Sequence, residues 1–266
     1  MSDSPVNASG NSVMPVLFIG HGNPMNAIED NPFATAWQDE TEWLPKPKAI
    51  LCISAHWETD GARVSAVAQP KTIHDFYGFP EELYQVDYPA PGSPQLAQRV
   101  RELAGTNLVD VDQDRGLDHG TWAVLRRMYP AADIQTLQLS LDRRRPPKSH
   151  LDLARKLQPL REEGVLILGS GNMVHNLPLM RWKDRRPYPW AEEFDALAVE
   201  LILAGEVDKL ADYSALGEAA RLSIPTNEHY LPLLYVLALR NEHEPVSFFA
   251  EGIVLGSVSM RSLRIG

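Results

Sequence analysis

The 266-residue chain contains one cysteine, Cys52, so it can form neither an internal disulfide nor a multi-thiolate zinc site. A reducing compartment suits such a chain, and a cytoplasmic protein is expected. No apolar run reaches the roughly 20 residues that span a bilayer as a helix, so no membrane partner is expected. Residues 1–13 are polar and rich in Ser and Asn, without the basic start and apolar segment of a signal peptide. They read as a disordered N-terminal tail. Positive charge is scarce too: 25 Lys and Arg face 35 Asp and Glu, for a net charge of -10. Nucleic-acid binding is driven by clustered cations on phosphates, so no nucleic-acid partner is expected. The only basic run, Arg143 to Arg145 ahead of Pro146 and Pro147, reads as a solvated loop.

Several chemical signatures are missing as well. There is no pair of histidines four apart with an intervening Glu, and no phosphate-cradling glycine loop ending in Lys and Ser or Thr. No cluster of carboxylates suggests a magnesium or calcium site. Gly169-Ser170-Gly171 follows a strand-like run but lacks the Gly-x-Ser-x-Gly spacing of a nucleophile turn, which leaves a serine hydrolase as a minor alternative.

What the chain does have is a composition of 44% hydrophobic and 23% charged residues, ample for a core. Short apolar, β-branched runs at 15–19, 49–54, 63–68, 134–139, 165–168 and 246–249 read as buried strands. Segments with helical spacing lie among them at 94–104, 121–129, 150–163, 191–204 and 229–239. This alternation predicts an α/β fold: a single domain at 14–266 with a central, mostly parallel or mixed β-sheet flanked by helices. Two stretches lack any sustained period. Residues 73–94 mix prolines, glycines and aromatic side chains, and 181–190 carries Trp182, Tyr188 and Trp190 among prolines and charges. Both read as loops of the kind that often serve function.

The eight histidines are the most informative residues. His21, His56 and His175 each come directly after a strand or the turn that ends it, and the carboxyl ends of parallel strands share one edge where ligands bind. Their imidazoles should converge there on a shared metal or catalytic site. His119 precedes a helical pattern, with Asp118 or Thr121 free to cap it. His229 opens the last helical segment beside Glu228; adjacent helical residues point different ways, so one of the two should face the site, and His229 is favoured. His74, on the aromatic loop, is a candidate substrate contact or a partner of Asp75. His150 and His243 lie among charges and read as surface residues. Neutral imidazoles suit zinc, iron, copper or nickel.

The residues around these histidines carry a resemblance. Gly20-His21-Gly22-Asn23-Pro24-Met25, Ser54-Ala55-His56-Trp57, Ile73-His74-Asp75-Phe76-Tyr77-Gly78-Phe79-Pro80, Asp118-His119-Gly120-Thr121-Trp122, Gly169-Ser170-Gly171-Asn172-Met173-Val174-His175-Asn176 and Glu228-His229-Tyr230-Leu231-Pro232-Leu233 are similar to motifs of the class III extradiol ring-cleaving dioxygenases, the LigB-like family, in its DOPA 4,5-dioxygenase branch. The match runs in order from about Met14 to the C-terminus.

The resemblance implies an enzyme that inserts O2 into a catechol ring, DOPA (4,5-cleavage to seco-DOPA) or a relative. It implies one divalent metal per chain, Fe(II) for activity or Zn(II) as purified. By motif, His21, His56 and His229 are its ligands, although the third ligand of the wider class is a glutamate, which puts Glu228 beside His229 as a candidate. His175 becomes the acid/base or a fourth ligand, and His119 a hydrogen-bond partner of the substrate hydroxyl or of bound oxygen. His74, Tyr77 and Phe79 are expected to touch substrate, with Phe76, Trp182 and Trp190 as further stacking candidates. The partners implied are a small catechol and O2; oligomeric state stays open. The alternatives are a zinc-dependent hydrolase built on the same histidines and a non-enzymatic metal-binding protein.

Overall fold

The computed structural model describes residues 13–266, so the expected N-terminal tail lies, but for Val13, outside the described residues. An eight-stranded sheet forms the centre. Its strands in chain order are β1 (Val16–Gly20), β2 (Ala49–Thr59), β3 (Ala62–Ser65), β4 (Val109–Asp112), β5 (Gln135–Asp142), β6 (Val165–Gly171), β7 (Val246–Phe249) and, after a small hairpin of β8 (Ile253–Val254) with β9 (Val258–Ser259), β10 (Ser262–Ile265). Across the sheet the order is β4-β3-β5-β2-β6-β1-β10-β7. The middle of the sheet is parallel, with β5, β2, β6 and β1 running one way, while β10 and β7 close one edge antiparallel and β3 joins β5 antiparallel. The sheet is therefore mixed, with a parallel heart.

Both faces are covered, and the pleat explains the continuous apolar runs. Successive side chains point to opposite faces, so in β1 Val16 and Phe18 enter one core while Leu17 and Ile19 enter the other. The first core packs on the helices Pro94–Ala104, Pro147–Lys156, Pro189–Leu203 and Leu231–Ala238; the second packs on Pro32–Glu40 and His119–Met128. Strands buried on both sides lose the polar alternation of a half-exposed sheet.

The helix at 150–163 divides in two, Pro147–Lys156 and Pro159–Glu162, because Pro159 cannot continue the first one. The last helix starts at Leu231, two residues later than expected, with Pro232 in its first turn. His229 therefore sits in the turn before it. Among the described residues no helix is long and apolar enough to cross a membrane.

One surface assignment is corrected. His150 is buried at 2% exposure, its Nδ1 3.0 Å from the Tyr235 hydroxyl, because the apolar residues Leu151 and Ala154 turn that face of the helix onto the core. His243 is exposed, as are Arg143 to Arg145 in the turn after β5.

Candidate active site

Five histidines meet at the carboxyl edge of the parallel strands. His21 follows β1 directly, and its backbone N–H donates to Gly171 O at 3.0 Å. His56 departs from expectation: β2 runs on to Thr59, and the imidazole projects from within it. The pairing of β2 with β5 shifts register between Ile53 and Glu58. Such a bulge re-aims side chains at the end of a strand, and here it lies beside the site.

His229 is pinned to the end of β6. Asn172 N–H donates to His229 O at 2.8 Å, and a Cβ on Gly171 would stand 2.1 Å from that same oxygen. Only glycine permits this approach. The ring of His175, whose backbone N–H is held by Ser223 O at 2.9 Å, stacks on that of His229 with centroids 3.5 Å apart and 14° between planes.

His119 is the first residue of its helix. Asp118 is the N-cap, its carboxylate accepting from Thr121 N–H. That carboxylate is fully buried, and it also accepts from Ser54 Oγ at 2.7 Å, Gln138 Nε2 at 2.6 Å and Arg115 at 2.6 Å. Arg115 reaches on to His56 O at 3.2 Å, so one charge-assisted network fixes the backbone that presents both His56 and His119.

The Nε2 atoms of His21 and His56 are 3.1 Å apart. Two nitrogens bound about 2.0–2.1 Å from one ion at roughly tetrahedral or octahedral angles lie about 2.9–3.4 Å apart, so the pair fits a shared metal. The outer hydrogen bonds agree. Ser170 Oγ donates to Gly120 O at 2.5 Å, so it must accept from His21 Nδ1–H, which lies 2.9 Å away. That leaves the lone pair of His21 on Nε2, facing His56. Likewise the Glu228 carboxylate, 3.0 Å from His229 Nδ1, can only accept, so the lone pair of His229 lies on Nε2. Carboxylate or hydroxyl partners behind ligating histidines set tautomer and orientation in this way.

Donor atoms of His21, His56 and His119 fall within 4.8 Å of one another, and so do those of His175, Glu228 and His229. His229 is not remote from the first group: its ring centre lies 5.3 Å from that of His21 and 5.0 Å from that of His56. The cluster can therefore hold a metal ion, with more than one choice of third ligand.

Burial is the main cause that keeps these rings neutral. It lowers His21 and His229 well below the ordinary histidine value, with the neighbouring imidazoles adding to the effect. His56 falls to about 4, by burial and then by His119. His175 also falls to about 4, by burial, against the opposing pull of Glu228. Neutral imidazole is the form that binds metal.

Asp75 is the site residue that the sequence did not point to as such. His119 N–H donates to its Oδ1 at 2.9 Å. His119 Nδ1 also lies 3.0 Å from Oδ1, but bent out of hydrogen-bond alignment, and His56 Nδ1 lies 3.6 Å from Oδ2. Burial raises the carboxyl, but the contacts with His119 outweigh it and hold Asp75 at about 2, ionised.

The family model for the catalytic LigB subunit of aromatic ring-opening dioxygenase matches residues 16–252. The chain belongs to this LigB family. A 4,5-DOPA dioxygenase extradiol from Escherichia coli (strain K12) is 49% identical to it over 95% of this chain and 95% of that protein. Another, from Beta vulgaris, is 40% identical over 88% of this chain and 90% of its own length. A crystal structure of an uncharacterized protein from Escherichia coli K12 matches with a TM-score of 0.82 at 45% identity, over 95% of this chain and 100% of the other. None of these matches supports a hydrolase. Ser170, moreover, is wholly buried and engaged by His21 and Gly120, which leaves it no role as a nucleophile.

In this LigB chain the histidines open onto a cavity of about 250 Å³ walled by apolar side chains, Phe76 and Phe79 among them. Of the residues expected to touch substrate, Phe79 lines the cavity. His74 stands behind it, bonded to Val86 O at 2.9 Å and packed against Phe76 and Trp122. Tyr77 points outward, 92% exposed. Trp182 is at the mouth, whereas Trp190 stacks on Tyr188 away from it. In a loop without period, facing directions are set by tertiary packing, which here turns Phe76 and Phe79 inward and leaves Tyr77 outside.

Proposed function

We propose that the enzyme cleaves catechols at an extradiol ring bond with O2, DOPA being one such catechol, opened at its 4,5 bond to seco-DOPA. One divalent metal per chain serves the reaction, Fe(II) in the active enzyme, with Zn(II) able to take its place on isolation. The observation that carries this reading is the 3.1 Å approach of His21 Nε2 to His56 Nε2, with His21 oriented from behind by Ser170. His229 is the third ligand in this reading, because its bond to Glu228 is well aligned while the contact of His119 Nδ1 with Asp75 is bent. When bound, the ion supplies a Lewis acid for the two catechol oxygens and the redox chemistry that O2 requires.

The protein's own groups do the rest. His175 is neutral near pH 7 and accepts the proton of a catechol hydroxyl at a ring nitrogen, as a general base must. His119, steadied by Asp75, hydrogen-bonds to the substrate oxygens. Phe76 and Phe79 lie against the ring and exclude water from the site. Extradiol cleavage places both oxygen atoms in the product as the ring bond beside the two hydroxyl carbons breaks.

The test is anaerobic loading with Fe(II) followed by a catechol in air. Oxygen uptake in step with a yellow ring-fission product is expected. Full iron occupancy with no oxygen uptake across a set of substituted catechols would overturn the reading.

A further inference from the structure

The cavity wall facing the histidines carries no fixed charge. Among the described residues that line it there is no Lys, Arg, Asp or Glu; the wall is Phe76, Phe79, Leu177, Met180, Trp182 and Leu255 with similar apolar neighbours, and besides the histidines its polar side chain is the neutral amide of Asn23. The cation next to it in the chain, Arg181, is already engaged. Its guanidinium lies 3.6 Å above the Tyr188 ring and donates to Arg186 O at 3.2 Å. Arg115, near His56, is paired to Asp118. Asp75 and Glu228 stand behind the histidines as carboxylates. An amino-acid tail drawn into this cavity would find no cation to pair with its own carboxylate, and a buried charge without a counter-charge is strongly disfavoured.

The mouth is unusual in the same direction. Trp182 is 69% exposed and Leu177 49% exposed, so apolar side chains stand at the entrance. An apolar substituent that reached them would take their surface out of water, which is favourable.

Building on the ring-cleaving reading, we infer that the preferred substrates are catechols bearing an uncharged apolar substituent, which lies along Leu177, Met180 and Trp182. An amino-acid catechol such as DOPA is accepted with its ionic tail outside the cavity, unrecognised by it.

The experiment uses the iron-loaded enzyme and compares kcat/KM for 4-methyl-, 4-ethyl- and 4-propylcatechol with that for DOPA, dopamine and 3-(3,4-dihydroxyphenyl)propanoate. Each buried methylene should raise kcat/KM about fourfold, the equivalent of about 0.8 kcal/mol, and 4-propylcatechol should exceed DOPA by at least about tenfold. The three ionic catechols, which differ in tail charge, should agree within about threefold. Met180→Lys should favour the propanoate and penalise 4-propylcatechol, reversing their order. DOPA matching or exceeding 4-propylcatechol would overturn the inference, and so would a selective rise in KM for DOPA in Lys183→Ala or Arg185→Ala. If no catechol is cleaved at full iron, the ring-cleaving reading itself falls, a result separate from either.

Discussion

His21 and His56 reach each other from two strands that are not neighbours: β6 lies between β1 and β2, yet the two Nε2 atoms stand 3.1 Å apart. The pair closes over the end of β6, whose Ser170 holds His21 from behind. His21→Ala and His56→Ala should each drop metal content well below one per chain. Ser170→Ala should fold and bind metal about 10- to 100-fold more weakly, the usual effect of removing such a partner. Metal titration followed by elemental analysis checks both, and full occupancy in either histidine variant would remove the strand-end site.

The third ligand is decided by comparing three variants. His229→Ala should lose metal, Glu228→Gln should weaken it about 10- to 100-fold through a looser His229, and His119→Ala should keep it. If His119→Ala loses metal and His229→Ala does not, the compact set His21, His56 and His119 is the coordinating one.

Asp75 touches His119 through its backbone and approaches His56, and it is adjacent to Phe76 in the cavity wall. Asp75→Asn should leave metal content intact and lower kcat by about 10- to 100-fold with little change in KM, because it loosens His119 rather than the pocket. An unchanged kcat would assign the carboxylate to loop anchoring alone.

Much of this arrangement could be read from the sequence, for reasons that can be stated. The parallel strands are buried on both faces, so their runs stand out, and the histidines that follow them mark the shared edge. β4 and β10, each four residues long and partly polar, give too little pattern to detect. The extension of β2 through His56 depends on a bulge set by its neighbours, which no local signal encodes. Asp75 looked like a companion of the adjacent His74; contact with His119, 44 residues away, is a product of the fold. His150 was misjudged because its charged sequence neighbours lie on the outer face of the same helix.

His150 gives a pH prediction for stability. Burial lowers it from about 6.5 to about 4, against an opposing pull from Asp142. The unfolded chain takes up this proton below about pH 6.5 and the folded chain does not, so the contribution to stability is complete above that pH. It is lost as pH falls from about 6.5 to about 4, and amounts to about 3 kcal/mol over the window. The stability gap between wild type and His150→Gln, from urea unfolding of both proteins without metal, should therefore shrink on acidification. The subtraction cancels the site histidines, which act in the same direction. A gap that does not vary between pH 7.5 and 4.5 would mean that His150 titrates in the fold as it does in the unfolded chain, and a gap that widens on acidification would mean that the fold holds it charged.

His175 separates ligand from base. Its backbone is tied to Ser223 and its ring lies flat on His229, which lets it reach the cavity that it lines without requiring it to bind the metal. If it moves the hydroxyl proton, His175→Ala should retain iron and bind catechol, yet lose about 100- to 10,000-fold in turnover, the range for a positioned proton-transfer group. If it is an obligatory ligand, iron is lost first and activity follows iron content, as expected for His21 and His56. Iron analysis and single-turnover ring cleavage on one preparation distinguish the two. Unchanged turnover at full iron would exclude His175 from the reaction and leave the stacked ring a support for His229.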